Sequence, residues 1–364
     1  MNKKNICVLY GGKSGEHEVS IRSASSVVKQ LNKDKYNITL IGIDKTGKWY
    51  LQPEAEADLK KTGMLSLISA AGQKIVIIPA EGFYAGHTKI EIDFIFPILH
   101  GTNGEDGTVQ GLLELMEIPY AGAGVSGSSI GMDKEIIKKI WVSEGLATVP
   151  FMSLSAEITN ASGFSMNHFI GNVEKKFGYP VFVKPVRAGS SVGISRADNR
   201  KELEESLPKA FRFDSRVMIE PGIDAREIEC SVIGNLTAEA YLPGEIAPTH
   251  AFYDYEAKYI DENGARLLIP AELDESTIEE VRRTAVKAYT SAGIEGMARV
   301  DFFIDRNTGK LLLNEVNTIP GFTNISMFSK MCEAAGLPYS EMLDKLVVLG
   351  EKRFNQKNKL DFSL

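Results

Sequence analysis

The first 125 residues restrict the fold most. Short apolar runs (NICVLY, NITLIGID, KIVIIPA and DFIFPILHG) alternate with stretches such as EVSIRSASSVVKQL, whose apolar residues recur at helical spacing. Strands apolar at successive positions are covered on both faces, and helices that cover both faces imply parallel pairing. The pattern predicts an α/β unit, a small doubly wound parallel sheet that includes KIVIIPA. At 364 residues the chain exceeds one ordinary core, so further domains are expected.

Downstream, MDKEIIKKIWVSEGL reads as a helix capped by Asp133 that opens a second domain. YPVFVKPVRAGSSVGIS reads as two strands joined by a glycine-serine loop, and RVMIEPGIDAREIECSVIG as two more. MARVDFFID and KLLLNEVN pair through the turn residues RNTG. The polar tail EKRFNQKNKLDFSL is expected to be loosely held.

No apolar run is long enough to span a bilayer, and the first one stops at Gly11, short of a signal-peptide core. Membrane insertion is therefore not expected. Cys7, Cys230 and Cys332 are odd in number and lack CxxC spacing, which supports neither a disulfide framework nor a zinc site and points to a reducing cytoplasm. A net charge of −7 argues against nucleic acid as a partner.

Three famous patterns occur in the wrong context. GAGVSG, Gly122 to Gly127, fits a dinucleotide fingerprint but does not follow the first strand of a βαβ unit. GIDKTGKW, Gly42 to Trp49, lacks the final Ser or Thr of a phosphate loop and reads as a turn between strands. GSSVG, Gly189 to Gly193, resembles a nucleophile elbow, yet a strand rather than a helix is expected after it.

LLLNEVNTIPGF carries more information. Side chains at i and i+2 of a strand share a side, so Glu315 and Asn317 project together, as do Arg299 and Asp301 in ARVDFF. If the two strands are antiparallel neighbours, Asp301, Glu315 and Asn317 converge as an all-oxygen set suited to a hard cation such as Mg²⁺. A solvent-facing hairpin with scattered polar groups fits the same residues. Gly321, just past the strand, lets a backbone N–H approach a ligand. In KPVRAGSSVG, Lys184 and the small residues Ala188 to Ser191 offer an anion cradle. Lys134 sits in a first helical turn, where the dipole disfavours it; either it serves an external anion or it is simply solvated.

Taken in order, LYGGKSGEHEVS, HGTNGEDG, GMDK, KPVRAGSSVG, YDYEAKY, ARVDFF and NEVNTIPGFTNIS make the chain resemble the D-alanine:D-alanine ligase family of the ATP-grasp superfamily. The resemblance implies an N-terminal Rossmann-like substrate domain over 1–130, a central ATP-grasp subdomain over 131–216, and a C-terminal catalytic domain over 217–364 with a lid loop at 249–265. It implies ATP with two Mg²⁺ ions, for which Mn²⁺ can substitute, held by Asp301, Glu315 and Asn317. Lys134 and Lys184 match phosphate contacts, and Lys258 belongs to the lid. Glu220 and Glu227 match adenine and ribose contacts, although Pro221 stands where the family often has lysine.

By the same resemblance Glu16 takes the ammonium of the first D-alanine, with Ser190 and Tyr259 as its partners. Arg299 and the Gly321 N–H match donors to the tetrahedral oxyanion. His100 and Glu105 line the substrate side, and Ser326 contacts the second carboxylate. Apolar Met327 and the presence of Tyr259 favour D-alanine over D-serine or D-lactate as acceptor. The implied function is ATP-dependent synthesis of D-alanyl-D-alanine through an acyl phosphate for peptidoglycan precursors, in a cytoplasmic homodimer.

Overall fold

A computed structural model describes residues 3–66, 68, 72–248, 265–323 and 325–361. β1 (Lys4–Gly11) pairs in parallel with β2 (Tyr36–Ile43), which pairs antiparallel with the short β3 (Trp49–Leu51). Ile6, Val8 and Tyr10 of β1 enter one apolar cluster with Val27 and Val28 of the helix α1 (His17–Gln30), while Cys7 and Leu9 enter another with Leu113. Both faces are thus covered, as the uninterrupted apolar run requires.

KIVIIPA departs from expectation. It forms β4 (Ile75–Ile78), which joins β5 (Gly82–Ala85) and β6 (Thr88–Ile90) in a separate antiparallel sheet. The reason is the connection: Glu81 N–H bonds Ile78 O across a tight turn with Ala80 at φ +61°, and a parallel neighbour would need a long crossover. β7 (Phe94–Ile98) then completes the first sheet parallel to β1, giving the order β3-β2-β1-β7. GIDKTGKW is the β2–β3 turn, where Asp44 accepts from the N–H groups of Thr46 and Lys48.

The central sheet contains β8 (Met152–Ser155), β9 (Val181–Pro185), β10 (Ser195–Ala197) and β11 (Arg216–Pro221) in the order β10-β9-β11-β8. Its core joins Val181, Val183, Val217 and Ile219 to Ile170, Val173, Leu203 and Leu207 of two helices, Met166–Phe177 and Arg200–Phe211. RVMIEPGIDAREIECSVIG forms two strands joined by a short loop, as expected, but the two lie in different sheets. β11 pairs with β9, whereas the next strand, β12 (Ala225–Gly234), starts another sheet. Central-sheet pairing therefore reaches Pro221, past residue 216.

The last sheet adds β13 (Ala238–Ala240), β14 (Gly244–Pro248), β15 (Ala265–Leu268), β16 (Gly296–Asp305) and β17 (Leu311–Asn317), in the order β15-β14-β12-β16-β17 with β13 beside β12. The helix Glu275–Ser291 covers it through Val281, Ala285 and Tyr289. The helix Lys134–Ser143 packs Ile137 and Trp141 into that same core, with Trp141 Nε1 donating to Ala288 O at 3.0 Å. The described part of the tail, 351–361, begins inside a docked helix, Tyr339–Lys357: Met342, Leu346 and Val347 just before it pack against the first unit, and Arg353 within it lies over the Tyr120 ring and donates to Tyr120 O and Gly122 O.

Candidate active site

A cavity of about 790 Å³ opens among the first, central and last sheets. Its floor is the β16–β17 pair. Asp301 is the register partner of Glu315, and Arg299 of Asn317, so the expected antiparallel convergence is present. The Arg299 guanidinium grips Asp301 twice, Nε to Oδ1 and a terminal nitrogen to Oδ2, both at 2.7 Å. It also lies 3.1 Å from Glu229. Asn317 Nδ2 donates to Asp301 Oδ2 at 2.9 Å.

One feature of β17 was not legible. Between Asp301 and Phe302 the register slips, so that Asp301 faces Glu315 while Phe302 faces Leu313. Asn314 is the extra residue of a β-bulge, and it joins Glu315 opposite Asp301. Leu313 and Val316 remain in the core, three positions apart rather than two. Asn314 Oδ1 is buried, has no hydrogen-bond partner among the described residues, and belongs to the cavity lining. Carboxylates from Asp301 and Glu315, amides from Asn314 and Asn317, and no sulfur or imidazole among them make a donor set that fits a hard divalent cation.

Lysines border this floor. Asp133 caps its helix by accepting from Ile136 N–H at 3.0 Å, which sets Lys134 in the first turn. Its Nζ lies 3.3 Å from Glu315 Oε2 and donates to Ala188 O at 2.8 Å, tying β17 to the loop 188–194. Lys184 does not line the cavity; its Nζ is 2.5 Å from Glu220 Oε2, and Glu220 Oε1 takes the fully buried Lys138. Glu220 is thus enclosed by two ammonium groups, which hold its carboxyl below the ordinary range against the effect of burial. Glu227 does line the cavity.

At the other end, Ser190 Oγ donates to Glu16 Oε1 from a loop in which Ser190 and Ser191 have φ of +48° and +60°. No helix follows GSSVG; β10 does. Two glycines make room for the Glu16 carboxylate. A Cβ on Gly101 would lie 2.2 Å from Oε2, and one on Gly189 would lie 2.7 Å away.

His100 and Glu105 line the cavity, and their hydrogen bonds reach the backbone that carries Gly321. His100 Nδ1 meets Ile319 O at 3.0 Å and Nε2 meets Ser23 Oγ at 2.8 Å. Ser23 in turn accepts from Phe322 N–H at 3.3 Å. The network assigns the neutral Nδ1–H tautomer, and burial lowers the pKa to about 4. Glu105 accepts from Gly101 N–H at 3.0 Å and Ile319 N–H at 2.9 Å, while burial and then Glu16 raise its pKa to about 8.

Ser326 Oγ accepts from Thr323 N–H at 2.9 Å and would sit 2.8 Å from a Cβ on Gly321, which explains glycine there. Met327 is buried with Ile246 and Met331, as an apolar wall. Lys258, Tyr259 and the expected lid lie in 249–264, outside the described residues.

Sequence reasoning missed Asn314, Lys138 and Glu229. Two had a signal: Lys138 is one helical turn beyond Lys134, and Glu229 is two residues beyond Glu227 on a strand.

Comparison with known proteins gives the family. Two family profiles match, "D-ala D-ala ligase N-terminus" over residues 5–123 and "D-ala D-ala ligase C-terminus" over 140–348. The chain is 47% identical over 363 residues to a D-alanine–D-alanine ligase of Treponema denticola, covering 98% of each. It is similar to the solved D-alanine-D-alanine ligase of Coxiella burnetii at a TM-score of 0.85 and 37% identity, over 99% of this chain and 97% of the other. It is also similar to the VanG D-Ala:D-Ser ligase of Enterococcus faecalis at a TM-score of 0.82 and 34% identity, over 96% and 100%. With two profiles covering most of its length and a relative nearly half identical from end to end, the chain belongs to the D-alanine–D-alanine ligase family.

Proposed function

We propose that this chain joins two D-alanine molecules into D-alanyl-D-alanine, activating the first with ATP as an acyl phosphate. The observation that carries the reading is the shared cavity in which Arg299, Asp301, Glu315 and Asn317 lie beside Lys134, with Glu16 and Ser190 at its other end. A carboxylate is a poor electrophile. Its oxygen attacks the γ-phosphorus, ADP leaves, and the amine of the second substrate then attacks the carbonyl carbon and displaces phosphate.

Each side chain has a task in that sequence. Lys134 and Lys184 draw in the phosphates, Glu227 faces the nucleoside side, and Glu220 acts through the lysines it holds. Asp301, Glu315 and Asn317 would hold Mg²⁺, or Mn²⁺ in its place, and the ions would supply charge neutralisation for phosphoryl transfer. Glu16, backed by Ser190, receives the ammonium of the first D-alanine, with Tyr259 and Lys258 closing from the lid. Excluding water protects the acyl phosphate. Arg299 and the Gly321 N–H receive the oxyanion, and His100 and Glu105 fix the segment that presents Gly321. Ser326 receives the second carboxylate.

The apolar wall at Met327 favours D-alanine over D-serine as acceptor. Among the described residues no helix is long and apolar enough to cross a membrane. From the family resemblance we assign the enzyme to the cytoplasm as a homodimer that supplies peptidoglycan precursors. Phosphate release measured with D-alanine, L-alanine, D-serine and D-lactate, with the product identified by mass, tests the reading. Release that depends on D-alanine and yields the dipeptide supports it; release driven only by another acid rejects it.

A further inference from the structure

We propose that Lys138 is a positioning residue of the nucleotide-phosphate site: it holds one oxygen of Glu220 so that the other oxygen fixes Lys184 without cancelling its charge. This rests on the reading that ATP phosphates lie against Lys134 and Lys184.

The Lys138 side chain is 0% exposed. Burying an ammonium is costly, and a lysine serving packing alone would be matched one to one by a carboxylate. Here two ammonium groups share the single carboxylate of Glu220, and Lys138 Nζ otherwise meets only neutral groups among the described residues, Val149 O at 3.4 Å and the Phe151 ring at 6.0 Å from its centroid. Glu315 faces both lysines from β17 but lies 3.3 Å from Lys134 Nζ. Lys138 and Lys184 against the one carboxylate of Glu220 leave one surplus positive charge around that carboxylate. An anionic ligand makes use of that surplus. Were Lys138 neutral, Glu220 would be matched by Lys184 alone and the surplus would vanish.

The groups facing Lys138 also set the order of titration. Burial, with Lys184 adding to it, lowers the Lys138 pKa to about 8 against the pull of Glu220 and Glu315. The pKa of Lys184 is raised, so Lys138 gives up its proton first as pH climbs. Nucleotide affinity should therefore fall as pH rises through this range.

The test is calorimetric binding of a non-hydrolysable ATP analogue with MgCl₂ between pH 6.5 and 9, using the full-length enzyme and Lys138→Met, Lys138→Arg and Lys184→Met. For the wild type, the dissociation constant should rise about ten-fold by one pH unit above the Lys138 pKa. Lys138→Met should bind weakly at every pH. Lys138→Arg, which keeps its proton throughout, should bind well without the alkaline fall. A Lys138→Met enzyme with wild-type affinity and profile overturns the proposal. If Lys138→Met does not fold, an alkaline fall that persists in Lys138→Arg overturns it instead. Unchanged binding in Lys184→Met would reject the underlying nucleotide reading rather than the role of Lys138.

Discussion

Replacing Arg299 tests the floor of the cavity most directly. Glu229, Asp301 and Glu315 are successive register partners across β12, β16 and β17, so three carboxylates stand in one row. Arg299 touches two of them, and Lys134 lies beside the third. The Asp301 side chain is 11% exposed and that of Glu229 is 7% exposed, so neither is well solvated. Arg299→Met leaves both without the guanidinium, and removing one partner of a buried pair costs about 3–5 kcal/mol. If the oxyanion role is also correct, turnover falls about 100- to 1000-fold, the loss typical of one missing donor. Arg299→Lys separates the two effects. A lysine restores a positive charge and much of the stability, but a point charge cannot grip Asp301 twice and face the reaction centre as well. Turnover should stay low in both variants while the urea midpoint recovers in the lysine variant. Added MgCl₂ should raise the melting temperature of Arg299→Met more than that of the wild type, because a divalent cation relieves the crowded carboxylates. A folded Arg299→Met enzyme within ten-fold of wild-type turnover would refute this reasoning.

Glu105 predicts a pH effect whose sign is fixed. Its pKa is raised from 4.5 to about 8, so its contribution to stability is full below the unfolded pKa and is lost as pH rises through the folded one. Unfolding free energies of the wild type from urea titration should fall relative to Glu105→Gln between these limits, by at most about 1.4 kcal/mol per pH unit, and parallel profiles would contradict the assignment. Gly101→Ala places a Cβ 2.2 Å from Glu16 Oε2 at a φ of +72°. The KM for D-alanine should rise at least about ten-fold with the KM for ATP little changed, since strain and lost contacts each cost on the order of 1–3 kcal/mol; equal changes in both would count against it. Asp301→Asn should abolish tight Mn²⁺ binding measured by electron paramagnetic resonance in the presence of ADP, and an unaltered Mn²⁺ signal would remove Asp301 from the cation site.

What could be read beforehand depended on whether the controlling interaction is local. The uninterrupted apolar run of β1 showed both of its faces covered, and i, i+2 spacing placed Glu315 with Asn317 and Arg299 with Asp301. Connection geometry was harder. KIVIIPA has the composition of a central parallel strand, and only the turn after Ile78 sends it to another sheet. RVMIEPG and AREIEC were legible as two strands, but not the sheet each would join, because pairing partners are chosen by long-range packing, against β9 for one and β16 for the other. The bulge at Asn314 shows why a strict two-residue period understates this site. By alternation Asn314 should share a face with Leu312 and Val316, and Leu313 should share one with Glu315; the slipped register instead sets Asn314 beside Glu315, opposite Asp301. No propensity in LLLNEVN announces that slip. Its physical cause lies in the pair as a whole, because Leu313 and Val316 must both reach the core while Asp301 and Glu315 both face the cavity. One residue has to be extra for all four to be satisfied.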